Sequence, residues 1–455
     1  MATSTKPLVV LTSTPGTGHA NPMKTIAKAL ILDGYEVTAV SSSAYRQHFE
    51  DAGCNYVAIQ GYGDYADDDR DTKWPERVLM PPGPEQFAWT VEQSFVRVIP
   101  DQLAAVQNAI TTLREKYPGR PVVLLNESAF LGPLPLLKGA RGAKPDGFIG
   151  VGINPISLSS KDTAPYGTGL PPPTSPAEVA QYTEMLDGLK SIFAKGQALF
   201  DDTLRDLGAE PGDGFFVDVP FLWPDRFLQM CPASMMYSRS DAPRSLKFAG
   251  GMPRLPQSTD KTLSASEKPE WLSTEIANNA AGKDIVFVCQ GTVRMDWNDI
   301  VIPTMEALKD RPNTLVVVAL GKRGAKLDPS VQVPDNARVA DYLPFDDILP
   351  LSSVFVGNGA YGGVRPSLAH GTPLVVAGDS EDKPEMCAIA EWIGVAVNLR
   401  TGNPTSQALR AGIDKVLSDP KYKKAAQKVQ AEMKAADPIR VIAENIDEVV
   451  AGVKA

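Results

Sequence analysis

Residues 354–385, VFVGNGAYGGVRPSLAHGTPLVVAGDSEDKPE, constrain the fold more tightly than any other stretch of this chain. A short apolar run at 354–356 reads as a buried strand. A glycine-dense turn follows, Gly357-Asn358-Gly359-Ala360-Tyr361-Gly362-Gly363. The next residues suit a helix running to Ala369-His370 and stopped by Gly371, the residue type common just past a helix end. Residues 373–377 form another strand, which ends in the acidic loop Asp379-Ser380-Glu381-Asp382. Strand, glycine turn, helix and strand make a βαβ unit. At such a turn, backbone N–H groups and the positive end of the helix can approach a phosphate. The stretch therefore predicts an anionic ligand, a diphosphate above all. The plain alternative is a tight glycine turn that binds nothing.

The same residues carry a decoy. Gly357, Gly359 and Gly362 satisfy G-x-G-x-x-G after a strand, and Asp379 follows about twenty residues on, as in a dinucleotide fingerprint. By itself this suggests NAD. That fingerprint sits at the first βα turn of its domain, however, and several strand-like runs precede this one.

At 455 residues the chain is long enough for two domains with separate cores. A net charge of −9 without a long basic block argues against nucleic acid or an anionic membrane surface as the main partner. Cys54, Cys231, Cys289 and Cys387 are scattered, which predicts a reducing compartment, the cytoplasm, and no zinc site. Three histidines all but rule out a histidine metal cluster. Residues 1–7 are short and polar and read as no signal peptide. No apolar run reaches the ~18 residues of a spanning helix, so no membrane anchor is expected. The oligomeric state is not legible.

Taken in order, residues 8–11 and 36–40 read as strands around a helix that starts at Asn21-Pro22, a good cap and first-turn pair. Residues 61–84 are acidic and rich in Tyr, Gly and Pro; they read as a surface loop whose Asp67-Asp68-Asp69 run is merely solvated. Residues 86–113 and 176–207 are helical in pattern, and 121–125 and 148–153 are strands. Residues 163–176 hold five prolines and read as irregular. Residues 249–268 mix Gly, Pro, Ser and Thr and serve as the candidate linker between 1–248 and 269–455. The second part alternates, with strands at 285–289, 314–320, 337–342, 354–356, 374–377 and 395–398 and helices between them. The fold class is α/β, with two doubly wound Rossmann-like domains facing across a cleft and ligands at the carboxyl ends of the strands. The last helix is a candidate to pack back on the first domain.

His19 stands in the loop after the first strand, beside a helix start. A neutral imidazole there suits proton abstraction from a hydroxyl near pH 7, and the helix N-terminus would disfavour imidazolium. A hydrogen-bonded loop histidine is the equal alternative on residues alone. A carboxylate on its other nitrogen would fix the tautomer.

Several motifs in order then resemble one family. Pro15-Gly16-Thr17-Gly18-His19-Ala20-Asn21-Pro22 resembles the Gly-His-x-x-Pro segment of family 1 glycosyltransferases, the UDP-sugar-dependent class. Tyr342-Leu343-Pro344-Phe345, Asn358-Gly359-Ala360-Tyr361, His370-Gly371-Thr372-Pro373 and Asp382-Lys383 resemble its donor-sugar signature. The resemblance implies the GT-B fold in a soluble member of the microbial or fungal kind, with acceptor bound by residues 1–248 and nucleotide sugar by 269–455. It implies His19 as catalytic base and Glu127, in place of the family's Asp, as its partner. It implies diphosphate contacts at Gly291, Thr292, Asn358, Gly359, Gly362 and Gly363. Tyr342 would stack on uracil, with Leu343 and Phe345 at the base edge. Asp382 and Lys383 would meet glucose hydroxyls. Asn358 replaces a His, and Pro366 replaces a ribose-binding Glu, a contact Arg365 would replace unless it grips phosphate. Lys383 replaces a Gln and can only donate. His370 reads as structural.

The function implied is inverting transfer of a sugar, glucose by resemblance, from a UDP-sugar to a hydroxyl of a small, mostly apolar acceptor such as a phenolic natural product. No metal or other cofactor is expected, the UDP-sugar being a co-substrate. A non-catalytic nucleotide-sugar binder, an NAD-dependent dehydrogenase and an epimerase of the same fold remain the alternatives. Among loop aromatics, Tyr62, Tyr65, Trp74 and Tyr166 suit either a flat guest or a self-packed loop.

Overall fold

The computed structural model describes residues 6–81, 83–255, 269, 271–272, 282–291 and 296–453. Two all-parallel sheets organise them. The first has seven strands: β1 Leu8–Thr12, β2 Glu36–Ser41, β3 Asn55–Ala58, β4 Val122–Glu127, β5 Gly147–Gly152, β6 Arg226–Gln229 and β7 Leu246–Phe248, in the order β3-β2-β1-β4-β5-β6-β7. The second has six: β8 Asp284–Cys289, β9 Thr314–Ala319, β10 Ala337–Ala340, β11 Val354–Gly357, β12 Leu374–Val376 and β13 Ala396–Asn398, in the order β10-β9-β8-β11-β12-β13.

Central strands are apolar on both faces because helices cover both sides. In β1, Leu8 and Val10 enter one core while Val9 and Leu11 enter the opposite one. In β8, Ile285, Phe287 and Cys289 alternate in the same way with Val286 and Val288. The strand order reverses between β1 and β4 in the first sheet and between β8 and β11 in the second. Those two switch points leave crevices at the strands' carboxyl ends, where ligands bind in such sheets.

Three short strands, β3, β6 and β7, carry no clear apolar run and escape the sequence pattern. The segment 86–113 is not one helix: helices Pro84–Val91 and Ile99–Lys116 flank a π-helical turn, Glu92–Val96. Segment 176–207 divides into Pro176–Ile192 and Ala194–Asp206.

The halves share a core. Phe227, Cys231, Met235 and Tyr237 of the first pack in one cluster with Phe287, Phe355, Tyr361 and Met433 of the second. The chain also crosses back. Helix Pro438–Val450 buries Ile442, Ile446 and Val449 in the core of the first sheet. Glu448 on its outer side pairs with Arg226 at 3.1 Å and Lys247 at 3.2 Å. Of the expected linker 249–268, residues 256–268 lie outside the described residues, as do residues 1–5 of the polar N-terminal segment.

Ile446 is fully buried. Ile446→Ala should cost about 2–5 kcal/mol, as large-to-small core changes do, read as a lower urea midpoint; an unchanged midpoint would mean that this helix does not hold the first sheet's core.

Candidate active site

The first crevice is built by the ends of β1 and β4. Helix Thr17–Leu32 begins four residues earlier than its Asn21-Pro22 signal, so Pro22 sits inside it and His19 lies in its first turn. Proline at the sixth helical position has no N–H for the carbonyl of Gly18, which keeps that first turn loosely bonded. Glu127, the last residue of β4, is fully buried. Its Oε2 lies 3.1 Å from Nδ1 of His19, at ion-pair distance but poorly aligned for a hydrogen bond. The same oxygen accepts from Thr14 Oγ1 at 2.5 Å, while Oε1 accepts from the Ala129 N–H at 2.8 Å. Thr12 and Asn126, paired in register across β1 and β4, add a hydroxyl-to-amide bond of 2.8 Å beneath.

Burial alone would lower the pKa of His19, but the carboxylates around it, Glu127 first, outweigh burial and raise it above the usual 6.5. This reverses the expectation that the helix N-terminus keeps the ring neutral. Glu127 moves the opposite way: burial works to raise its pKa, and His19, Thr14 and the Ala129 N–H bring it below the usual value.

Asp67, the first of the acidic run, is not merely solvated. Asp67 Oδ2 accepts from the N–H of Thr17, the first residue of the His19 helix, at 2.6 Å. The carboxylate of Asp69 accepts from the Ala66 N–H at 3.0 Å. The loop's aromatics pack on themselves: Trp74 Nε1 donates to Tyr62 Oη at 2.6 Å, Tyr62 Oη to Gln93 at 2.8 Å, and Tyr65 Oη to the Ser94 carbonyl at 3.0 Å. Tyr65 and Trp74 are buried, and of the four loop aromatics only Tyr166 lines the cleft.

The second crevice holds the glycine turns. Gly291 follows β8 with φ +94°, and Asn358 follows β11. Asn358 ties the two turns together, its Nδ2 donating to the Gln290 carbonyl and its Oδ1 accepting from the Ala360 N–H at 3.1 Å. One amide hydrogen is thus already engaged by the protein. Gly359 has φ +75°, and a Cβ there would meet Cys387 Sγ at 2.1 Å. Gly362 and Gly363 lie in the first turn of helix Tyr361–Ala369, and a Cβ on Gly362 would meet nothing within 4 Å. Pro366 takes the sixth position there, as Pro22 does in the His19 helix. Thr292 lies outside the described residues. Because β11 is the fourth strand of its sheet in chain order, the Gly357-x-Gly359-x-x-Gly362 turn is not a first βα turn. Asp379 accepts from the Gly402 N–H at 3.0 Å.

Tyr342, Leu343 and Phe345 line the cleft. The Arg323 guanidinium lies 4.8 Å from the centre of the half-exposed Tyr342 ring. Phe345 packs edge-on against Phe287 at 5.3 Å. Arg365 also lines the cleft; burial lowers its pKa, against the pull of Tyr361 and Asp346. His370 Nε2 pairs with Asp346 at 2.7 Å. Asp382 precedes helix Lys383–Trp392 without capping it; its Oδ2 accepts from the Tyr361 N–H at 3.4 Å, and burial raises its pKa. Segment 381–383 is no solvated loop. The Lys383 side chain is 8% exposed, and its ammonium is bound by Glu381 and Ser380, so it is not a free sugar donor.

Glu385 escaped the sequence reading. It is buried, burial pushes its pKa up to about 7, and it accepts from the Gly167 N–H at 3.3 Å. The proline-rich loop of the first half therefore reaches across to the second beside Asp382. Nothing in the local pattern around Glu385 separates it from an ordinary helix-face acid.

His19 and Asp67 from the first half and Gly291, Tyr342, Asn358, Gly359, Gly362, Gly363, Arg365, Asp382 and Lys383 from the second line one cleft of about 2330 Å³ that spans both halves, with Glu127 behind His19. Its first-half wall is aromatic, with Phe87, Phe95, Phe193, Phe215 and Phe221. Among the described residues, no group of three or more His, Cys, Asp and Glu is placed to hold a metal ion.

Known proteins resemble the chain over this whole architecture. It is 38% identical over 98% of its length to UDP-glucosyltransferase A1 of Starmerella bombicola, covering 93% of that protein. It is 35% identical over 99% of its length to UDP-glycosyltransferase 2 of Phaeomoniella chlamydospora, covering 97% of it. The chain belongs to the UDP-glycosyltransferase family. Residues 306–449 match the Erythromycin biosynthesis protein CIII-like, C-terminal domain. The crystal structure of the glycotransferase of kitacinnamycin superposes with a TM-score of 0.69 at 19% identity, covering 98% of this chain and 99% of that one. The fold of this glycosyltransferase is GT-B, with one sheet and one glycine-lined switch point per half. Family membership displaces the NAD reading of the Gly357 turn.

Gly359→Ala should cost this glycosyltransferase about 2–4 kcal/mol, since a left-handed backbone and a clash with Cys387 add. Thermal unfolding would show it, whereas Gly362→Ala, with open space around it, should unfold near the parent temperature. Equal stability of the two variants would contradict the turn geometry.

Proposed function

We propose that this glycosyltransferase moves glucose from UDP-glucose, with inversion, to a hydroxyl of a small, mostly apolar natural-product acceptor, with His19 as general base. The observation that carries this is the buried Glu127 oxygen 3.1 Å from His19 Nδ1, which leaves Nε2 toward the cleft. The acceptor hydroxyl gives its proton to Nε2 as its oxygen attacks the anomeric carbon. The bond from that carbon to the diphosphate oxygen breaks on the opposite face, and UDP leaves with the electron pair. Glu127 holds the tautomer and stabilises the imidazolium that forms.

In this reading the diphosphate lies against the turns at Gly291 and Asn358–Gly363, where backbone N–H groups and the N-terminus of helix Tyr361–Ala369 meet its growing charge. The reaction then needs no metal. Tyr342 offers its face to the uracil, displacing Arg323 from it, and Arg365, a cation lining the cleft, takes the ribose or a phosphate. Asp382 takes the sugar hydroxyls without Lys383, whose ammonium Glu381 holds. The aromatic first-half wall selects an apolar acceptor. Four buried free cysteines suit a reducing compartment, and we place the enzyme in the cytoplasm. Among the described residues no helix is long and apolar enough to cross a membrane.

UDP release from UDP-glucose, measured against phenolic, steroid and macrolide acceptors, tests the reading. His19→Ala should lower acceptor-dependent release by at least ~10²-fold while UDP binding by calorimetry is kept. EDTA should leave the wild-type rate unchanged, and the product's anomeric proton should report the β configuration. UDP binding without release for any acceptor would point to a non-catalytic binder.

A further inference from the structure

Segment 61–84, which walls the acceptor side of the cleft through Arg70, Arg77 and Gly83, also touches the helix that carries His19. Asp67 binds the first N–H of that helix from 50 residues away at 2.6 Å. Tyr45 Oη lies 3.3 Å from both Asp67 Oδ2 and Thr17 Oγ1, closing a small ring around the helix start. A Cβ built on Gly16 would lie 3.2 Å from Asp67 Oδ1 and 3.4 Å from His19 Cδ2. The carboxylate and the imidazole therefore flank one point, and only glycine leaves that point empty. The loop itself is firmly seated by the Trp74–Tyr62–Gln93 chain of hydrogen bonds.

We propose that Asp67 is a positioning residue for the base: it fixes the start of the His19 helix from the acceptor wall and sets a second carboxylate beside the imidazole. This rests on His19 being the base. The charged and titratable groups around the ring are Glu127 from β4, Asp67 from the wall loop and Asp382 from the second half, and each raises its pKa. Around Asp67 itself stand Arg70, 3.8 Å away, Tyr45, and Tyr65 beneath. Arg70 also acts on Glu381, the partner of Lys383 in the donor loop. One chain of charges thus runs from the base's helix, through the acceptor wall, to the donor loop.

The chain has only His19, His48 and His370, so histidine NMR on the full protein can follow each ring. Burial pushes His48 down to about 4, well away from His19; the His19 signal is the one lost in His19→Ala. In Asp67→Asn, which keeps an oxygen for the Thr17 N–H, the His19 midpoint should fall by roughly 0.3–1 unit, less than a directly paired carboxylate gives. The acid limb of kcat/KM should move the same way. Asp67→Glu should keep the midpoint within about 0.2 unit of wild type but lower kcat several-fold through the misplaced helix start. A His19 midpoint that is the same in Asp67→Asn and wild type overturns the proposal. Should Asp67→Asn fail to fold, a displaced midpoint in Asp67→Glu does so. The NMR midpoint needs no turnover, so it is decided separately from the transferase reading, which fails if wild type releases no UDP or if His19→Ala releases it as fast as wild type.

Discussion

A carboxylate with no solvent exposure is expensive unless its oxygens are satisfied. Glu127 is such a group, and much of the first half exists to satisfy it. Its Oε1 takes the Ala129 N–H and its Oε2 takes Thr14 and faces His19, while its own N–H reaches Thr12. Thr12 and Thr14 come from β1 and the loop after it. The carboxylate therefore holds its ion pair only if β1 and β4 lie side by side, which is where the strand order reverses. Topology and electrostatics impose the same arrangement.

The two halves repeat one device with different chemistry. Each has a switch point, a helix with glycine in its first turn and proline at its sixth position, and a capping carboxylate or amide nearby. The first half fills its crevice with an imidazole–carboxylate pair. The second leaves its crevice as bare backbone at Gly291, Gly359, Gly362 and Gly363. Proton transfer needs a side chain of tuned pKa, whereas an anion needs only donors and room. The shared core at Phe227 and Phe355, and the return of helix Pro438–Val450 to the first sheet, keep the two crevices opposed.

The central strands and the glycine turn were legible because they follow local rules: apolar runs covered on both faces, and glycine where the backbone must turn left-handed, as at Gly359. The short strands β3, β6 and β7, two of them at the sheet's edges, were not, because pairing rather than composition makes them strands. The Asn21-Pro22 signal misplaced the start of the His19 helix, since the actual cap comes from Asp67, far away in sequence. The same long-range contact sets Asp67, whose acidic run looked solvated, against the His19 helix. Lys383 read as a sugar donor until its neutralisation by Glu381 appeared, and Glu385 carried no mark until the loop around Gly167 folded over it. Residues whose roles depend on a partner more than a few turns away are written in the fold, not in their own neighbourhood.

The central claim is that Glu127 makes His19 a base. The pH profile of kcat/KM for Glu127→Gln beside wild type tests it most directly. In wild type the rate should fall as pH drops through a His19 pKa raised above the ordinary value, because only the neutral ring accepts a proton. Removing the negative charge leaves burial to dominate, so the acid limb should move to lower pH while the plateau drops by about 10²–10⁴-fold. A Glu127→Gln profile that overlays wild type in limb and plateau would contradict the account.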